Sequence, residues 1–298
     1  MHHYDFLGKA KYFVPLSILL VVLSWILVIP GVRGLNPGID FSGGTEFTVK
    51  FKKPVSTAQV RSVLAGISGP IDLSKSVIQD VAGRNTKMIT TQLDVEKDQS
   101  TIQAIEKTLR DKLPVEDVSR QSIGKQVSRE LVQKGWQAVL LALVVILLYV
   151  SWRFQLRYAV GAVVALIHDV SIALGVFALF HVEVNLVTIA AFLTIVGYSL
   201  NDTIVIFDRI RENLKIDRKA SLFELINRSV NQSLSRTLNT SFTTFIPVFI
   251  MFLFGGSVLR GFSLALLIGV IVGTYSSMYI ANPIVYAWSL KAGTKRAK

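Results

Sequence analysis

The chain has 298 residues, of which 51% are hydrophobic and only 17% charged, with a mean hydropathy of +0.49, so its charges are segregated as in an integral membrane protein. Cysteine is absent, which excludes disulfides and thiolate metal sites, and the four histidines (His2, His3, His168, His181) lack H-E-x-x-H spacing, so neither metal nor cofactor is called for. The net charge is +12, yet residues 35–125 hold 13 Lys+Arg against 11 Asp+Glu; the basic excess abuts hydrophobic runs without interleaved stacking aromatics, which speaks for membrane topology and against nucleic acid.

Residues 1–11 form a short tail carrying Lys9 and Lys11 ahead of the first apolar run, predicted as a transmembrane helix at 12–31. The run exceeds the apolar core of a signal peptide and lacks a small-residue cleavage site before Gly31, so it reads as a retained span with its basic N-terminus in the cytoplasm. The next segment, 34–134, is then extracytoplasmic. Its pattern is that of a small α+β domain: a strand at Glu46 to Phe51, then a helix capped by Ser56 or Thr57 and stopped near Gly66. Strands follow at Ser76 to Val81 and Met88 to Val95 around a Gly83-Arg84-Asn85 turn. A helix carrying Ile102, Ile105 and Leu109, and a last strand near Val115 to Ser122, complete a ferredoxin-like β-α-β-β-α-β order. No nucleophile, base and orienter come together there, so no catalytic residue is assigned; the segment reads as a binding or lever domain.

An amphipathic lead-in from Gln126 reaches Gly135, and the second span, 136–152, has tryptophan at each end. A short turn with Arg153 and Arg157 leads to the third span, 158–180, which carries His168 and Asp169 near its middle. That pair can serve as structural glue within the bundle or relay protons. The fourth span, 185–207, contains Asn201 and Asp202 in the apolar run Thr194 to Phe207, with Tyr198 and Thr194 one and two turns before Asp202. A carboxylate at the centre of a span costs about 2.5–3.5 kcal/mol, so it normally faces a partner or a watery cavity. Residues 208–236 hold seven Lys/Arg and four Asp/Glu and are predicted as a cytoplasmic loop bearing an interfacial helix or helix pair. The fifth span, 238–254, has Arg236 at its mouth. The sixth, 262–288, places Gly269, Gly273 and Ser277 at four-residue spacing, a close-packing face, ahead of a basic tail at 291–298.

The Lys/Arg bias puts both termini in the cytoplasm around six spans, a unit resembling half of a transporter built from two related halves. Gly38-Ile39-Asp40-Phe41-Ser42-Gly43-Gly44-Thr45 directly after the first span resembles the GIDFxGGT signature of the SecD/SecF protein-export family, within the resistance-nodulation-division superfamily. His168-Asp169, the block Gly197 to Thr203, Phe207 to Asn213, and Ser235-Arg236-Thr237 with Asn239-Thr240-Ser241 are similar to that family's motifs in the same order. The resemblance covers nearly the whole chain. It implies a fold of six transmembrane helices plus a ferredoxin-like extracytoplasmic domain, in a bacterial inner-membrane subunit that is not an enzyme.

It further implies that the subunit works with SecD beside the SecYEG channel, with YajC and YidC as associated partners. It would use the proton gradient to draw a translocating polypeptide outward, in contact with membrane lipid. A SecD half is absent from the sequence, which implies the separate-chain form. The resemblance assigns proton movement to Asp202 and Arg236; Asn201, Asp169 and His168 join them as candidates, and Gly38, Asp40, Gly43, Gly44 and Thr45 form the signature and a hinge or tight junction. Two other functions fit a charged six-span unit. One is proton-coupled export of small or lipidic molecules, whose outside domains are usually larger and duplicated; the other is a non-transporting assembly scaffold with a static Asp202–Arg236 pair.

Overall fold

The computed structural model describes residues 4–81, 85–217 and 219–291, which fall into two units. One unit, residues 37–137 with 183–186, is built on a four-stranded antiparallel sheet. After α1 (Phe6–Val28) and the two-residue strand β1 (Asn36–Pro37), a single turn α2 (Ile39–Ser42) leads into β2 (Gly44–Phe51). Then come α3 (Thr57–Ala65), β3 (Val77–Val81), β4 (Thr86–Thr91), α4 (Gln99–Lys112) and β5 (Val115–Ile123). The sheet order β3-β4-β2-β5 puts the first and third strands of the motif at its centre, the ferredoxin-like arrangement. Alternation in β2 sends Phe47, Val49 and Phe51 against Val60 and Leu64 of α3 and Ile102, Ile105 and Leu109 of α4, all essentially dry. Ser56 closes α3 with a reciprocal capping box to Gln59.

Two expectations in this unit shift. The strand expected at Met88 to Val95 leaves the ladder at Thr91, because its partner β2 begins at Gly44 and Thr45 pairs with Thr91; Leu93 is still fully buried, and its alternation reports the core rather than a strand. The expected Gly83-Arg84-Asn85 turn lies largely outside the described residues, as do His2, His3 and the basic tail beyond Lys291.

Among the described residues, six helices are long and apolar enough to cross a membrane. They are α1, α5 (Lys125–Arg153), α6 (Leu156–Phe180), α7 (Leu186–Ile216), α8 (Leu222–Phe254), and a composite helix made of α9 (Gly256–Ser276), a π-helical turn (Ser277–Ala281) and α10 (Asn282–Lys291). A two-residue strand β6 (Glu183–Val184) separates α6 from α7. The ends differ from the expected spans because polar residues extend the helices beyond the apolar runs. α1 starts at Phe6 rather than 12, since the Asp5 carboxylate caps it through the Gly8 N–H at 2.8 Å. The lead-in and second span are one 29-residue helix: Gly135 meets nothing within 4 Å and a lone glycine costs only about 1 kcal/mol.

The helix pair expected within 208–236 is present, but each helix is continuous with its neighbouring span. α7 runs to Ile216 and α8 starts at Leu222 with a Ser221–Glu224 capping box, leaving a connection in which the Asp217 carboxylate accepts from the N–H groups of Lys219 and Ala220. Those bonds hold its carboxyl below the usual range. The two polar extensions pack through Asn213, whose amide donates to Ser229 Oγ and Gln232 Oε1, each at 2.8 Å. The polar start of α8 is also stitched to the chain before α1, through Asn227 to Asp5 and Asn231 to the Tyr4 carbonyl, both 2.8 Å.

Candidate functional site

In the membrane unit the sequence-predicted charges separate into two sites of different character. Asp169 has no exposed surface and is fully engaged: its Oδ1 lies 2.8 Å from His168 Nδ1, and its Oδ2 accepts from Ser199 Oγ at 2.6 Å and Ser276 Oγ at 2.8 Å. One carboxylate thus ties α6 to α7 and α9. The helices can come this close because α9 presents small residues to α7: Gly269 lies against Ile195, and a Cβ at Gly273 would stand 3.0 Å from that of Ser199. Ser277, next to Asp169's partner Ser276, is buried in the π turn and donates to the Thr274 carbonyl at 2.9 Å. The His168 ring stands 6.0 Å from that of Tyr275, whose hydroxyl sits 2.7 Å from Ser17 Oγ of α1.

Asp202 is also buried, at 2% exposure, but poorly satisfied: its Oδ2 has no hydrogen-bond partner. The groups that act on it come from α8, the Ser241 hydroxyl by hydrogen bonding and the Arg236 guanidinium by charge. Arg236 is itself exposed and makes no ion pair within 4.0 Å of Asp202, so the two form a charge couple across a gap. Ser241 also meets Thr274 Oγ1 of α9 at 2.6 Å, which places Asp202 beside the α8–α9 seam. Of the polar stripe before it, Tyr198 has a buried hydroxyl without a partner, Thr194 donates to the Ala190 carbonyl, and Asn201 is exposed. The structure therefore groups His168 with Asp169 and Asp202 with Arg236, and leaves Asn201 outside both. Sequence reasoning missed Ser199, Ser276 and Ser241. All three lie in or beside motifs already singled out, but pairing a serine with a carboxylate needs three helices in register.

The signature segment builds a compact junction in the other unit. The Gly38 N–H donates to the Val184 carbonyl at 2.8 Å, and Asp40 Oδ2 accepts from the N–H of Leu186, the first residue of α7, at 2.8 Å. Asp40 is thus an anionic cap on the first turn of that helix. Gly43 (φ 68°, ψ 167°) and Gly44 (φ 125°) hold conformations that L side chains essentially never adopt, and a Cβ on Gly44 would run into the Thr91 carbonyl. Thr45 closes the turn through its hydroxyl, 3.1 Å from the Leu93 carbonyl and 3.0 Å from Ser122 Oγ. Glu46 follows at once, and burial, with Glu183 and Asp40 nearby, pushes its carboxyl up to about 7; burial and Asp40 also raise Glu183. This acidic trio was not anticipated, because Glu183 is distant in sequence.

These features define a multi-pass helical membrane protein with one α+β domain inserted after its first span and carboxylates buried among its helices. Residues 102–291 match the family described as protein export membrane protein SecD/SecF, C-terminal, and residues 28–55 match the SecD/SecF GG motif. The chain is 43% identical to the protein translocase subunit SecF of Petrotoga mobilis over 96% of each chain, and 39% identical to that of Escherichia coli O157:H7 over 98% of this chain and 89% of the relative. It is also similar to the protein translocase subunit SecDF of Thermus thermophilus, 38% identical over 99% of this chain but 40% of that one. The crystal structure of a translocon-associated SecDF from Thermus superimposes with a TM-score of 0.88 over 97% of this chain and 39% of that chain. The chain belongs to the SecF family of protein-export membrane subunits.

Proposed function

We propose that the chain is the SecF subunit of a bacterial Sec export machinery, seated in the cytoplasmic membrane with both termini and the 208–236 segment in the cytoplasm. It works with SecD to draw polypeptides outward through SecYEG, with YajC and YidC as further associated proteins. The observation that carries this reading is likeness along nearly the entire chain both to free-standing SecF and to two fifths of a fused SecDF, which makes SecD the natural partner. The α+β domain contacts the emerging polypeptide and does no covalent chemistry.

Asp202 is the proton-binding group, Arg236 its electrostatic partner, and Asn201 lines the approach. His168 and Asp169 form the pivot against which these helices move. A buried carboxylate with one unsatisfied oxygen, facing a separated guanidinium, supports the assignment, because taking up a proton removes the attraction between them. One proton crossing 100 mV contributes about 2.3 kcal/mol, enough to bias a two-state rearrangement. The test is gradient-driven, ATP-independent completion of export in inverted vesicles. Asp202→Asn is expected to assemble with SecD and lose gradient dependence, and exchanging the pair (Asp202→Arg with Arg236→Asp) is expected to fail as well. Full activity of the exchanged pair would show a static ion pair, and full activity of Asp202→Asn would remove Asp202 from the proton path.

A further inference from the structure

A cavity of about 680 Å³ lies away from both carboxylates, where the α5–α6 turn meets the end of α7 and the start of α8. Its lining holds four cations, Arg153, Arg157, Arg211 and Lys215, and no carboxylate. Two are partly committed: Arg153 pairs with Asp208 at 3.3 Å, and Arg157 donates to Ser289 Oγ at 2.9 Å while its Nε is buried without a partner. Arg211 and Lys215, one turn apart on α7, are exposed and make no ion pair among the described residues. The N-terminus of the 25-residue helix α6 opens here too. The side chain of its N-cap Gln155, part of the lining, makes no capping hydrogen bond, so the N–H groups of Leu156 and Arg157 add positive potential.

The cavity is also amphipathic. Phe154 and Tyr158 close it on one side, the Tyr158 ring standing 4.9 Å from that of Phe207. On the other, the lining Trp152 is 85% exposed, and Leu156, between the lining residues Gln155 and Arg157, is 59% exposed; the two stand at the ends of the apolar spans that the turn joins. The cations therefore sit where the spans give way to polar helix, with an indole at headgroup depth beside them. A soluble anion would have no use for that apolar rim, whereas a lipid offers a phosphate and a glycerol–acyl shoulder together.

We propose that this groove is a binding site for one anionic phospholipid, its headgroup phosphate held by Arg211, Lys215 and Arg157 and its acyl shoulder against Trp152 and Leu156. Basic pockets between spans suit such headgroups, each nearby cation adding attraction that neutral lipid cannot match. The site is independent of the proton path and of the orientation of the chain, since it needs only the boundary between hydrocarbon and water.

The full chain in mild detergent, titrated with short-chain phosphatidylglycerol or phosphatidylcholine and read by native mass spectrometry, tests it. The expected result is one phosphatidylglycerol retained at least about tenfold more tightly than phosphatidylcholine, with Arg211→Gln/Lys215→Gln reducing that retention by about tenfold. Lys9→Gln/Lys11→Gln, two exposed cations elsewhere, is expected to leave it unchanged. Trp152→Ala provides a second variant, expected to weaken lipid retention without touching any charge. Equal retention of the two lipids, or wild-type retention by both the double-glutamine and Trp152→Ala variants, overturns the proposal. Displacement of the lipid by inorganic phosphate at equal concentration overturns it in favour of a free-anion site.

Discussion

Glu46 offers a quantitative check on the junction beneath the signature motif. Its carboxyl rises from 4.5 to about 7, chiefly through burial and then through Glu183 and Asp40. At about 1.4 kcal/mol per pH unit the full shift corresponds to about 3 kcal/mol, and because the side chain keeps some contact with water we expect roughly 1–2 kcal/mol to survive screening. The folded-state value is raised, so protonation favours the folded domain. The penalty is absent below about pH 4.5, grows as the pH rises, and is complete above about pH 7. Glu46→Gln removes the charge at all pH values. Backbone amide exchange in the full chain, read at Phe47 and its ladder partner Ile89 and compared with wild type at matched pH, reports the local opening equilibrium. The variant is expected to exchange about 5–30-fold more slowly at pH 8 and equally at pH 4. Equal exchange at pH 8, or a difference that widens toward pH 4, would show that the trio does not strain the junction.

Gly44→Val combines a forbidden φ with a collision against the Thr91 carbonyl and is expected to cost roughly 3 kcal/mol or more, seen as loss of protection along β2 and β4; normal protection would refute the close approach. Asp169→Leu leaves His168 Nδ1 and Ser199 Oγ without their partner inside the bundle and is expected to destabilise it by about 3–5 kcal/mol in thermal unfolding of the detergent-solubilised chain. Asp202→Asn, which sacrifices no bond at Oδ2, is expected to stay within about 1 kcal/mol of wild type; similar losses in both variants would erase the distinction between the sites. In the cysteine-free chain, Lys75→Cys is expected to react with a membrane-impermeant thiol reagent in intact spheroplasts and Lys215→Cys to stay protected; the opposite labelling would invert the topology.

Legibility from sequence tracked how local each signal is. Six apolar runs and the β-α-β-β-α-β pattern emerge from hydropathy, alternation and caps such as Ser56, all short-range. That the helix pair expected within 208–236 continues the fourth and fifth spans without a break does not, because nothing local joins Asp208 to Glu212 to the apolar run before it until Asn213 and Ser229 are known to face one another. Asp169's two serine partners and the Asp40 cap on α7 were equally hidden, since each joins residues that only the assembled fold brings together. Element ends failed for a related reason: Leu93 carries the alternation of a strand because it is buried, although no neighbouring backbone remains for it to pair with.

The π turn at Ser277–Ala281 has a geometric consequence for the composite sixth helix. Pro283 has no N–H to offer the Tyr279 carbonyl, so one rung of the α-helical ladder is missing at this point. Within the wider turn the Asn282 side chain donates to the Ser277 carbonyl at 2.7 Å. Each residue of an α-helix advances about 100° around the axis, so a wider turn in mid-helix resets the phase of everything after it. Before the turn, Gly269 and Gly273 address α7; after it, the Ala281 carbonyl and Val285 stand 3.0 and 3.1 Å from where a Cβ on Gly161 of α6 would be. One rod thereby extends its contact with α6 past the point where its glycines have left α7, like a key cut on two offset edges.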